Sequence, residues 1–231
     1  GGYNDYDFAV ELAPGESHST PVFTAGFTCG GFGEASRMLH RYQREHLYPK
    51  NMRDVEVPMV FNTYSALPNW REGGVTEESV MSLIAPAAQA GFEAFIIDAG
   101  WQTAIGDWTV HPIHFPRGLR PVSDAVHRAG MKFGLWIEPE RITQQAKLIK
   151  EKPEWLFAKG GGTAMLNLSR RDVLEYVHDE MVKLLRDHGV DYLKLDFNRY
   201  FEIAEGPDRR TLNTRYVLNF YELFDRLTRE F

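Results

Sequence analysis

The chain has 231 residues and carries 26 basic against 32 acidic side chains, a net charge of −6. Hydrophobic residues at 43% and charged residues at 25% are the balance of a globular protein and exclude a disordered, collagen-like or disulfide-rich chain. One cysteine, Cys29, no apolar run near the roughly 20 residues that span a bilayer and no basic-then-apolar leader point to a cytoplasmic protein off the membrane, and the mild acidity argues against a nucleic-acid partner.

Residues 1–54 open with two β-like pieces, DYDFAVELAP and TPVFTAGFT, split by the turn-prone PGES. A helix is expected over Glu34–Leu47, stopping at Tyr48-Pro49. From Val57 the pattern changes to alternating strands and helices. PMVFNTY reads as a strand. Thr76 caps a helix whose Val80, Leu83, Ile84 and Ala87 recur at helical spacing, which Pro86 should kink and Gly91 should end. FEAFIID is the next strand, Leu119–Ala129 a helix closed by Gly130, and KFGLWIE a strand. A helix is expected near Thr143–Glu151, then a short strand in AMLNLS, then a strong helix from Val173 to Gly189. DYLKLDF is a strand, and Leu212–Leu227 the last helix. Apolar strands alternating with helices predict an α/β fold with a parallel sheet covered on both faces, as either a doubly wound sheet or a (β/α) barrel.

Three of these strands finish in an acid: Asp98, Glu138 and Asp196. In a parallel sheet all strand C-termini lie on one side, so the three carboxylates should converge on one cleft. Period two puts Trp136 with Glu138 on one strand face, and Lys194, Asp196 and Asn198 together on another. Lys194 beside Asp196 is expected to pair with it and keep it ionised, as a nucleophilic carboxylate requires. Tyr64, Trp101, Trp108 and Trp136 lie near the strand ends; the apolar faces of a sugar ring stack on indole, so Trp101 and Trp136 are expected to form a sugar platform. Against each of these stands a plain structural alternative, a strand-end salt bridge or a packed core tryptophan.

Other signals are weaker. Gly31-Phe32-Gly33 lacks the third glycine of a dinucleotide loop, and Gly160-Gly161-Gly162 lacks the lysine of a P-loop and reads as a turn. His111 and His114 flank Pro112, which excludes helical zinc-ligand spacing, and a zinc site is not expected. Cys29 reads as a packed thiol and Arg209-Arg210 as a solvated loop.

In order and spacing, FIIDAGW, GDWTVHPIHFPRGL, GMKFGLWIEPERI, KPEWLF, LNLSR and YLKLDFNR resemble the α-galactosidases (melibiases) of glycoside hydrolase family 36, over about residues 58–200. The resemblance implies a (β/α)8 TIM barrel, here apparently its N-terminal half, over 55–231. It makes 1–54 the end of a preceding β-sandwich domain with its linking helix. It implies retaining hydrolysis of terminal α-galactoside oligosaccharides, with Asp196 as nucleophile and no cofactor or metal. Asp98, Trp136, Lys194 and Asn198 then serve as sugar ligands beside Trp101 and Glu138. The acid/base would lie past Phe231, and homo-oligomers occur in the family. Three positions depart from the family pattern: Ala99 replaces a second acid, Tyr64 a tryptophan, and a glycine near Gly161 an arginine. Two other readings fit in outline: an enolase-type metal site built from Asp98, Glu138, Asp196 and Lys194, and a non-catalytic carbohydrate-binding fragment.

Overall fold

The computed structural model describes residues 7–48, 57–67, 73–160, 163–196 and 207–231. Two compact units divide the chain, one formed by 1–4 and 12–58, the other by 5–11 and 59–231.

In the smaller unit the helix α1, Gly31–Tyr42, begins three residues earlier than expected and runs into a wider π turn, Gln43–Leu47. Neither β-like piece is a strand: no residue of 7–30 is in a sheet. Extended backbone needs a neighbouring strand to take up its N–H and C=O groups, and none pairs with it here. Residues 7–9, which belong to the larger unit, bind that unit's own last helix. There the Ala9 N–H donates to the Thr214 hydroxyl at 3.1 Å, and the Asn213 amide donates to the Asp7 carbonyl at 2.8 Å.

The larger unit is built from β/α repeats. Strand β1, Val60–Asn62, is followed by the single turn α2, Thr63–Ala66, and by α3, Glu77–Gln89. Thr76 and Ser79 cap α3 reciprocally, and the helix continues through Pro86 to the C-cap Ala90. Strand β2 is Ala94–Ile97, α4 is Arg120–Arg128, and β3 is Lys132–Ile137. After an excursion come α6, Arg171–His188, β7, Tyr192–Leu195, and α7, Arg209–Glu230. Gly189 ends α6 in the left-handed region, φ 63°, where a side chain would be strained. Arg209 and Arg210 thus open α7 rather than lying in a loop, and Arg209 pairs with Asp7 at 3.0 Å.

The four strands form one parallel sheet in the order β1-β2-β3-β7. The helical core meets its odd-numbered residues: Phe95 and Ile97 of β2, Phe133, Leu135 and Ile137 of β3. Even-numbered residues turn to the opposite face. There the register aligns Asn62, Ile96, Gly134 and Tyr192 in one row. Gly134 has no room for a side chain: a Cβ would stand 2.8 Å from Ile96 Cγ1 and 2.9 Å from the Tyr192 carbonyl oxygen.

The excursion between β3 and α6 corrects two expectations. AMLNLS belongs to no parallel ladder. Strand β4, Arg141–Thr143, β5, Leu156–Gly160, and β6, Thr163–Leu166, make a separate antiparallel sheet in the order β4-β6-β5. Two residues separate β5 from β6, too few for the roughly dozen-residue crossover that a parallel pair demands. The helix expected over Thr143–Glu151 shrinks to α5, Leu148–Glu151, because the fully buried Ile142 is drawn into β4. The expected triple-glycine turn lies, at Gly161 and Gly162, outside the described residues. Among the described residues no helix is long and apolar enough to cross a membrane.

Gly134→Ala should destabilise the protein by about 1–3 kcal/mol, the cost of overpacking a filled site. The denaturant midpoint checks this: an unchanged midpoint would mean that β2 and β7 do not close over that residue.

Candidate active site

The site is built one row above Gly134. Ile97 aligns with Leu135, and Trp136 with Lys194, so Asp98, Trp136 and Lys194 form the next row on the even-numbered face. Glu138 and Asp196 stand two residues further along their strands.

Asp98 is buried and held from several sides. Lys194 Nζ donates to its Oδ2 at 2.7 Å, and Asn62 Nδ2 donates to the same oxygen at 2.9 Å. Its Oδ1 accepts the Ala99 N–H at 2.8 Å, while its own N–H donates to the Thr63 hydroxyl at 2.9 Å. Asn62 works in two directions, because its Oδ1 also caps α2 by accepting the Tyr64 N–H. The expected Lys194–Asp196 pair is therefore replaced by Lys194–Asp98. Side chains stand nearly perpendicular to a sheet, and Lys194 shares a row with Asp98, whereas Asp196 is one pleat repeat away along the strand.

Asp196 is tied to β3. Its N–H donates to the Ile137 carbonyl at 3.1 Å, and its Oδ2 accepts the Trp136 indole N–H at 2.9 Å. Trp136 is 2% exposed and Trp101 0%. The Trp101 indole donates to the Trp136 carbonyl at 2.9 Å. The sugar-platform expectation for these two is corrected: buried rings fixed by their N–H groups offer no open face. Trp108 is buried as well, and of the four aromatics near the strand ends Tyr64 is the exposed one, at 51%.

Glu138 is fully buried and ion-paired with Arg141 at 2.5 Å, so its carboxylate is turned into the protein rather than toward a ligand. Glu140, two residues on, was not legible as a site residue. It is buried, and its Oε2 has no hydrogen-bond partner among the described residues. Burial pushes its carboxyl up to about 7, against a partial offset from its own backbone N–H; the negative charges of Glu138 and Asp196 push it further the same way. Burial of Tyr216, and after it the charge of Glu140, raise the Tyr216 hydroxyl. Asn62 and Thr63 were also missed, although a polar residue at the end of β1 follows the strand-end rule that found the acids. Asn198 lies outside the described residues. His111 and His114 stack at 3.8 Å between centroids, and no group of three His, Cys, Asp or Glu side chains among the described residues could hold a metal ion. The enolase template fails on geometry too, because the lysine it needs as a base is engaged by Asp98.

Parallel β/α units that gather carboxylates at their strand C-termini define part of a (β/α)8 barrel, with its functional groups at the catalytic end. The chain belongs to the melibiase family, whose model matches residues 17–231. It is 31% identical over 245 residues to the α-galactosidase Mel36A of Lactobacillus acidophilus, covering 98% of this chain and 33% of that protein. A variant of the α-galactosidase AgaA of Geobacillus stearothermophilus, of glycoside hydrolase family 36, solved in complex with stachyose, superposes with a TM-score of 0.86 at 28% identity. That match covers 100% of this chain and 34% of the other. A second variant of the same enzyme, in complex with raffinose, gives 0.85 at 28% identity over the same shares. The chain thus spans about a third of the length of the relatives it matches.

Glu140 makes stability depend on pH. Its carboxyl ionises near 4.5 in the unfolded chain and near 7 in the fold, so between those values the unfolded state releases a proton that the fold retains. Stability should be fully present below about pH 4.5 and fall by roughly 3 kcal/mol in all as pH rises through 7. Glu140→Gln should remove this slope, read as denaturant midpoints from pH 4.5 to 8; a slope that persists in the variant would place the titration elsewhere.

Proposed function

We propose that this chain supplies the nucleophile-bearing part of an α-galactosidase active site, which hydrolyses terminal α-galactosides with retention. The observation that carries the reading is the Asp196 carboxylate at the end of β7, held by the Trp136 indole beside the Asp98–Lys194 pair. The relatives crystallised with stachyose and raffinose support an oligosaccharide substrate.

In the first step an Asp196 oxygen attacks the anomeric carbon as the glycosidic C–O bond breaks. A general acid protonates the departing oxygen, leaving a galactosyl ester on Asp196. In the second step water, deprotonated by the same group, attacks that carbon and frees the carboxylate. Retention needs the two carboxyl groups roughly 5–5.5 Å apart. Asp98 accepts bonds from Lys194 and Asn62, and Glu138 is ion-paired with Arg141, so the acid/base role is given to neither and is read as belonging to a group outside the described residues. Tyr64, exposed at the mouth, takes the stacking role first given to the tryptophans, with Lys194 and Asn198 as hydroxyl ligands. Residues 1–54 are read as the end of a preceding domain.

Asp196→Asn in the intact protein should lower kcat by roughly 10³-fold or more and abolish covalent labelling by an activated fluorinated galactoside. Labelling at the wild-type level would refute the nucleophile assignment.

A further inference from the structure

Resting on the reading of Asp196 as the nucleophile, we infer that Trp136 is a positioning residue whose indole N–H, rather than the neighbouring ammonium, aims the Asp196 carboxylate. The geometry carries this. Lys194 shares a strand face with Asp196, yet its Nζ lies 2.7 Å from Asp98 Oδ2. The indole Nε1 of Trp136 lies 2.9 Å from Asp196 Oδ2. The residue that carries it is anchored through its backbone. Its backbone sits in β3, paired with β2 and β7, and its carbonyl accepts the Trp101 indole N–H at 2.9 Å. With 2% of its surface exposed, the ring has no freedom to swing away.

A neutral donor suits this task. One hydrogen bond to the ionised form fixes the orientation of the carboxylate and favours ionisation. It does not place a full positive charge on the atom group that must give up electron density to carbon. Among the described residues, the charged and titratable groups on the elements packed around Asp196 and Trp136 include Lys194 on the same strand, Asp98 beyond β2, Glu138 and Glu140 beyond β3, Arg141 on β4 and Tyr216 on α7. Asp98 and Glu138 are engaged by Lys194 and Arg141 respectively, while Glu140 feels the charge of Asp196 directly.

Trp136→Phe keeps an aromatic ring and deletes the donor. In the intact protein, with a nitrophenyl galactoside, kcat should fall roughly tenfold to a hundredfold. KM should change little, and the acidic limb of kcat/KM against pH should move up by about one unit. A ring that merely packs, or that stacks on sugar, would raise KM or lower stability and leave that limb in place, which would overturn the inference. A second measurement needs no folded Trp136 variant: the ¹⁵N–¹H indole resonance of Trp136 in selectively labelled protein. It should titrate with the carboxylate of Asp196 and lose that titration in Asp196→Asn. A resonance indifferent to pH and to Asp196→Asn overturns the inference even if turnover is normal. Titration of the resonance in a protein that hydrolyses no galactoside and takes no covalent label would instead uphold the contact and sink the galactosidase reading.

Discussion

The ion pair between Lys194 and Asp98 fixes the rest of the site. It joins the end of β2 to β7 across the intervening β3, and such a reach is possible only if the sheet curls so that strands two apart approach each other. Gly134 permits that approach one row below, because the space its side chain would fill is already taken by Ile96 and the Tyr192 carbonyl. Lys194 keeps a third of its side chain exposed while Asp98 is buried, so the net stabilisation from the pair is modest. Its geometric effect is larger. Without the lysine, a buried carboxylate would lose its charge partner, a loss that is far more costly than the pair is favourable.

The partnerships above that row decide what each acid can do. Asp98 and Glu138 each face a cation at close range, and a carboxylate so engaged is an acceptor that orients polar neighbours. Asp196 is oriented by an indole donor. Glu140 sits deepest of the four in chemical terms. One oxygen lacks a hydrogen-bond partner among the described residues, and burial first, then two negative neighbours, make its proton hard to remove. The four carboxyl groups near the strand ends thus differ in partners and in burial, and such differences are how a single fold separates structural acids from reactive ones.

Much of this was legible in the sequence. The apolar runs FEAFIID and KFGLWIE gave β2 and β3, Thr76 and Gly189 marked helix ends that the structure keeps, and the strand-end acids pointed to the face where the site lies. Partner choice was not legible. Lys194 and Asp196 are two residues apart in sequence, but row neighbours in a parallel sheet come from other strands, so the register, invisible in one strand alone, sends the lysine to Asp98. Burial of Trp101 and Trp136 escaped notice for a similar reason: an indole near an acid reads as a platform until the packing around it is known. The antiparallel excursion after β3 failed as a parallel strand because its connection is short, and the segment before α1 failed as strands because extended backbone needs a partner that composition does not supply.

The row structure also divides the site into parts that can and cannot vary freely. Asp98, Trp136, Lys194 and Asp196 are locked to one another through three adjacent strands, β2, β3 and β7, so a change at any of them disturbs the others through the register. The rim is looser. Tyr64 stands on a single helical turn with half its surface open. A substitution there leaves the Asp98 pair and the Trp136–Asp196 bond in place. A side chain on the rim can therefore change without moving the strands, while the geometry proposed for Asp196 belongs to the rows beneath it.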